Sequence, residues 1–241
     1  MNWLSRWLRP RPHVPAHLAD AVKAWQALPP PDRRRPLASA RFLVVDTETT
    51  GLDPHSAHLL SIGACKVESG ALQLAPSFEA AVRPAVPSAD ENILVHGIGR
   101  QRQLDSSSAA DALCAFLEFA GRPVFVGFHA LFDATVLGRA AQAELGVAFD
   151  AAWLDLAVLL PALYPDLAAS TWDLDPWLAH FGIPCFSRHG ALADACATAE
   201  LLLLALGRAQ LRGAHDVHGL YRLQSAELKR QALAHAGNPA G

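Results

Sequence analysis

From Arg41 onward the hydrophobic positions change rhythm several times, and each change marks an element. "RFLVVD" is a short β-branched run ending in an acid, and "HLLSIGACKV" and "QLAPSFEAAV" are two further stretches of strand character. The "ESGA" between those two reads as a hairpin turn. "SSSAADALCAFLEFAG" carries apolar residues at helical spacing, with serines at its start and Gly121 at its end, where helices are capped. "PVFVGF" reads as a strand, "ALFDATVLGRAAQAEL" as a helix and "FDAAWLDL" as the edge of another strand. "TWDLDPWLAHFG" and "HGALADACATAELLLLALGRA" follow as helices. Strands first in a meander and then alternating with helices predict an α/β fold, a mixed sheet covered by helices.

The flanks have a different texture. Within residues 1–40, Trp3, Leu4, Trp7 and Leu8 sit at helical spacing, a second helical pattern runs from Ala16 to Leu28, and "RPRPH" and "PPPDRRRP" punctuate them. This region reads as an N-terminal helical arm and linker whose Trp/Leu stripe packs on the domain or docks a partner or membrane surface. Residues 41–208 read as one domain, and 209–241 as a fraying C-terminal helix with a polar tail. No internal repeat is visible.

Composition narrows the class. With 51% hydrophobic and 18% charged residues among 241, the chain has ample material for one core. Its formal charge is −3, 20 basic against 23 acidic side chains, so no global field attracts polyanions and nucleic-acid binding needs local arginines or bound cations. Cys65, Cys114, Cys185 and Cys196 form no C-x-x-C pair and read as core thiols of a reducing compartment. "MNWLSRWLRPRPH" lacks the apolar run of about 7–15 residues that a signal peptide needs. "AELLLLAL" is far shorter than the roughly 20 residues that span a bilayer. A soluble, cytoplasmic protein is the expectation.

The candidate chemistry begins in "VVDTETTGLD". Residues i and i+2 of a strand share a face, so Asp46 and Glu48 point the same way. Paired carboxylates in a partly dry site repel unless one is protonated or cations lie between them. Magnesium and manganese favour such hard oxygen ligands, and two ions about 3.5–4 Å apart can clamp a phosphodiester. Further acids have suitable settings: Asp133 in the first turns of a helix that follows a strand, and Asp194 on an apolar helix between Ala193 and Ala195. Each alone also reads as a helix-surface carboxylate. His189 stands on a loop five residues before Asp194, and an ordinary histidine pKa near 6.5 suits proton acceptance at neutral pH.

Together, "DTETTGLD", "FDATVL" and "HGALADA" resemble the three motifs of the DEDDh 3′–5′ exonucleases, the DnaQ-like family to which the proofreading epsilon subunit of bacterial DNA polymerase III belongs. The likeness runs from Arg41 to Arg208, and "VHGI" (Val95 to Ile98) resembles a short segment that members carry between the first two motifs. The resemblance implies a ribonuclease H-like fold, a mixed five-stranded sheet flanked by helices, and makes 41–208 an exonuclease domain. It further implies that Asp46, Glu48, Asp133 and Asp194 hold two divalent cations, Mg2+ or Mn2+, with Asp133 acting largely through water. His189 is then the general base, and the products are nucleoside 5′-monophosphates released from DNA 3′ ends, single-stranded or frayed. A polymerase or other protein partner, in replication or repair, is part of that implication.

Thr49, Thr50, Gly51 and Leu52, with His96 and Phe132, are the implied contacts to the terminal nucleotide, by donors, wedging and stacking. The threonines also read as turn caps and Phe132 as core. One departure stands out: members commonly have His-Asn where this chain has Phe128-His129, and His129 faces either the cleft or solvent. RNA trimming by the same chemistry is the alternative activity, and a non-catalytic nucleic-acid or polymerase-binding module is the alternative class. A short-loop calcium site is disfavoured because the acids come from distant segments.

Overall fold

Five strands join in one sheet of order β3-β2-β1-β4-β5: β1 (Arg41–Thr49), β2 (Leu59–Glu68), β3 (Ala71–Ala81), β4 (Val124–Gly127) and β5 (Trp153–Asp155). The pairs β1/β2 and β2/β3 are antiparallel, and β1/β4 and β4/β5 are parallel, which is the expected meander followed by crossovers. The computed structural model describes residues 14–84, 98–167, 173–185 and 189–236.

The hairpin between β2 and β3 turns through Ser69 and Gly70, both at positive φ (54° and 72°), with Glu68 paired to Ala71. Two consecutive left-handed residues match the right-handed twist of the strands they join. This confirms the turn read at "ESGA".

Helices cover both faces: α1 (Ala19–Gln26), α2 (Arg100–Asp105), α3 (Ala109–Ala120), α4 (Leu131–Leu145), α5 (Leu156–Leu163), α6 (Leu174–Phe181), α7 (Ala191–Leu211) and α8 (Val217–Ala236). Alternation along β1 sorts the core in two. Phe42 and Val44 join Cys65, Val67 and Val126 under α5, α6 and α7, while Leu43 and Val45 join Ile62, Ala64 and Phe125 under α1, α3 and α4. Each large apolar side chain so buried contributes roughly 1.5–3 kcal/mol, so the run Phe42–Val45 anchors β1 firmly enough to hold acids at its far end.

Three segments add to the sequence reading. "LAVLLPAL" forms α5, with Pro161 inside it and Leu156, Leu159, Leu160 and Leu163 fully buried. The segment read as a fraying C-terminal helix with a polar tail holds the 20-residue helix α8, which packs on α5 and buries Val217 and Leu220. In the N-terminal region, Val22 and Trp25 are buried in the core beneath β1 and α3, and the Trp25 ring nitrogen donates to the Gly121 carbonyl at 2.8 Å. Trp3, Leu4, Trp7 and Leu8 lie outside the described residues, as does His96. Among the described residues, no helix is long and apolar enough to cross a membrane.

Candidate active site

β1 extends past its apolar run to Thr49, so Asp46 and Glu48 occupy its final residues on the face that Phe42 and Val44 line deeper in the sheet. That face meets α7. Asp194, in the first turn of α7, is 5% exposed, and one carboxylate oxygen each of Asp46, Glu48 and Asp194 lies within 4.8 Å of the others. Two residues from β1 and one from a helix about 150 positions later therefore converge, as the sequence led one to expect.

Gly63 makes the convergence possible. It pairs with Asp46 across β1/β2, and a β-carbon placed on it would overlap the backbone of Ala191 and Leu192 at the start of α7. Only a residue without a side chain lets the helix come this near the sheet. Asp194 then benefits from the partial positive charge of the helix N-terminus. Its Oδ2 accepts the backbone N–H of His189 at 3.1 Å, and its Oδ1 accepts from the Cys185 thiol at 3.4 Å. His189 has a left-handed backbone (φ 63°) and an exposed side chain, which puts the imidazole on the turn that leads into α7.

Asp133 has a different position. Its Oδ1 accepts a 2.7 Å hydrogen bond from the Thr47 hydroxyl, and Thr47 lies between Asp46 and Glu48 on the opposite face of β1. Asp133 thus meets the end of β1 from the α4 side, and it is not one of the three acids that approach within 4.8 Å. It is 4% exposed, and burial, the largest cause, pushes its pKa up to about 7 against the hydrogen bonds from Thr47, with the nearby Asp155 charge adding to the rise.

Asp155 was not singled out in the sequence. At the end of β5 its Oδ1 accepts from His129 N (3.0 Å) and Ala157 N (2.9 Å), while its own N–H donates to Oε1 of Gln224 on α8 (2.7 Å). Burial raises its pKa, opposed by the hydrogen bonds from the backbone N–H groups of Ala157 and His129. An acid between an apolar strand and a helical run is a helix N-cap pattern, and that signal stood in "WLDL". The His129 it holds has φ 58°, a region that Asn, Asp and His enter more readily than most residues. Position 129 needs a left-handed residue, which is a physical reason for a histidine here. Its ring is exposed and lies edge-on to Phe128.

The loop after β1 is internally tied. Thr49 Oγ1 donates to Gly51 O (2.7 Å), Thr50 Oγ1 accepts from His58 N (2.9 Å), and Arg139 of α4 donates to the carbonyls of Pro54 and Ala57. Leu52 projects from this loop at 95% exposure, whereas Phe132 is half-buried against the α4-side core. Of the four cysteines, Cys65 and Cys114 are buried and Cys185 and Cys196 half-buried.

Hard oxygen donors gathered at the C-terminal end of β1, beside a crossover to a parallel strand, define a class: an α/β protein with an acidic cluster that could hold a metal ion. The exonuclease family model matches residues 43–202, about two thirds of the chain. An epsilon-like protein of DNA polymerase III from Rhodobacter capsulatus is 33% identical over 74% of this chain and 25% of its own length. The DNA polymerase III epsilon subunit of Aquifex aeolicus is 26% identical over 79% of this chain and 93% of its own. The PolC-type DNA polymerase III of Caldanaerobacter subterraneus is 28% identical over 80% of this chain, which spans only 14% of that relative. E. coli Exonuclease I bound to a dT13 oligonucleotide superposes with a TM-score of 0.61 at 18% identity, over 71% of this chain and 42% of its own. Exonuclease X bound to 5′-overhanging duplex DNA does so at 0.59 and 18%, over 76% and 99%.

The chain belongs to the DnaQ-like exonuclease family and has its ribonuclease H-like fold. Family membership implies a phosphodiester hydrolase.

Proposed function

We propose that the protein is a metal-dependent 3′–5′ exonuclease that releases nucleoside 5′-monophosphates from DNA 3′ ends. The observation that carries this reading is the approach of Asp46, Glu48 and Asp194 within 4.8 Å. Three hard, anionic donors so close are a fit for Mg2+ or Mn2+, because a cation among them turns mutual repulsion into ligation. Bound there, one or two such ions would supply an acidified water and countercharge for the departing 3′ oxygen. Solved relatives that carry the fold were captured with single-stranded and overhanging DNA, which favours DNA as the substrate class.

The chain's own groups divide the remaining work. His189, exposed at the mouth and tied through its backbone to Asp194, accepts the proton of the attacking water. Asp133 supports the site from behind β1 through Thr47 and holds the backbone between Asp46 and Glu48. Gly51 and Leu52, on the Arg139-braced loop, receive the terminal nucleotide, with Leu52 as the apolar wedge. Thr49, Thr50, Phe132 and His96 complete the proposed substrate contacts. A polymerase is the proposed partner, on the strength of the polymerase-associated relatives.

Digestion of 3′-labelled DNA and RNA strands of matched sequence, with and without chelator, tests the reading. Expected is stepwise loss of labelled 5′-mononucleotide from DNA, abolished by chelator. Preferential release from RNA would move the assignment to RNA trimming, and no release from either would overturn it.

A further inference from the structure

At the end of the sheet remote from the carboxylates, the chain after α1 crosses the entrances to β4 and β5 and encloses a cavity of about 180 Å³. Arg122 and Pro123 lie just before β4 and Ala151 and Ala152 just before β5, so the cavity sits at the N-terminal ends of the parallel strands. The acids stand at their C-terminal ends. β4 alone places roughly 13 Å between the two at 3.3 Å per residue.

Two arginines line the cavity, and both are held in place. The Arg122 guanidinium stacks 4.3 Å from the Trp25 ring centroid, and Trp25 is itself fixed by its bond to Gly121 O and by stacking on Phe149. The Arg33 guanidinium lies 4.8 Å over the Tyr221 ring, and its backbone carbonyl accepts from His218 N at 2.7 Å. Among the described residues neither guanidinium is within ion-pair distance of a carboxylate, and Arg122 Nε is buried with no hydrogen-bond partner. Asp150 is the one acid in the lining, and Pro30, Pro31, Pro123 and Phe125 add no side-chain hydrogen-bonding groups.

A half-buried guanidinium whose Nε donor is unmade favours an anion rich in acceptor oxygens, and two planar cations stacked on rings suit a tetrahedral oxyanion. The cavity is smaller than the roughly 300–1,000 Å³ typical of drug-sized ligands, so it holds one such group and not a whole nucleotide. We propose that Arg33 and Arg122 form a second anion site, separate from the acidic cluster, that takes a phosphate group. The group comes either from the backbone of a polynucleotide or from a free phosphate.

Equilibrium dialysis of the full chain against labelled inorganic phosphate, in chelator, tests the site whether or not the protein hydrolyses DNA. Expected is saturable binding of one phosphate per chain, weakened about tenfold in Arg122→Met and at least about threefold in Arg33→Gln. Arg33 is exposed, so its variant leaves the core intact. Lack of saturation up to about 20 mM phosphate, or unchanged binding in Arg33→Gln, overturns the proposal. The two sources separate in kinetics: a backbone phosphate predicts that Arg33→Gln raises KM for a 12-nucleotide strand but not a dinucleotide, with kcat unchanged, whereas a free-phosphate site leaves both KM values alone.

Discussion

Gly63 on β2 lies directly against the backbone of Ala191 at the head of α7, with no room for a side chain between them. Through this contact a strand glycine far from any motif sets how near Asp194 stands to Asp46 and Glu48. Gly63→Ala must push α7 outward. The expected loss is about 3 kcal/mol of stability, the upper end of the usual overpacking range, together with a large fall in hydrolysis. Denaturant unfolding and turnover of the variant check both, and near wild-type values for both would show that the helix can shift at no cost.

Removing either acid of the cluster separates stability from function. Asp46→Ala or Asp194→Ala is expected to abolish hydrolysis while the chelated protein keeps or gains thermal stability, since repulsion among the three carboxylates falls. Thermal melts in chelator beside turnover assays in Mg2+ make the comparison. Retained turnover in either variant contradicts the assigned roles.

His189→Ala is expected to lower kcat by about 100-fold to 10,000-fold, the range of general-base contributions, with cation binding retained because the backbone N–H of residue 189, which the substitution keeps, donates to Asp194. Wild-type turnover would mean that another group accepts the proton.

Asp133 makes stability depend on pH. Its pKa rises on folding from 3.8 to about 7, so between those values the folded chain binds the proton more strongly than the unfolded one. The stabilisation is full below pH 3.8 and is lost as pH climbs through 7. The rise corresponds to roughly 4 kcal/mol between the two protonation states. In chelator the protein is therefore expected to become less stable from about pH 4 to pH 7 by up to that amount, and Asp133→Asn to flatten this slope. A slope unchanged in the variant would assign it to other groups.

Much of this could be read in the chain, for identifiable reasons. Alternation in "RFLVVD" and the i, i+2 spacing of Asp46 and Glu48 fix a shared face, and "HGALADACATAELLLLALGRA" is apolar enough in a helical rhythm to carry Asp194 into the sheet. α5 escaped because "LAVLLPAL" is apolar all round and holds Pro161, so it has neither a period nor an unbroken helical signature. α8 looked frayed because its mixed surface hides the contacts that Val217 and Leu220 make with distant segments. The face from which Asp133 meets β1, and the bond between Asp155 and Gln224, depend on tertiary geometry across 86 and 69 residues, which no local pattern encodes.

Calorimetric titration of Mn2+ into the metal-free chain tests the central claim, that Asp46, Glu48 and Asp194 tolerate one another by sharing cations. Expected is saturable binding in the wild type that is lost or weakened at least about tenfold in Asp46→Ala, Glu48→Ala and Asp194→Ala alike. Wild-type affinity in all three variants, or no saturable binding in the unaltered chain, would contradict it.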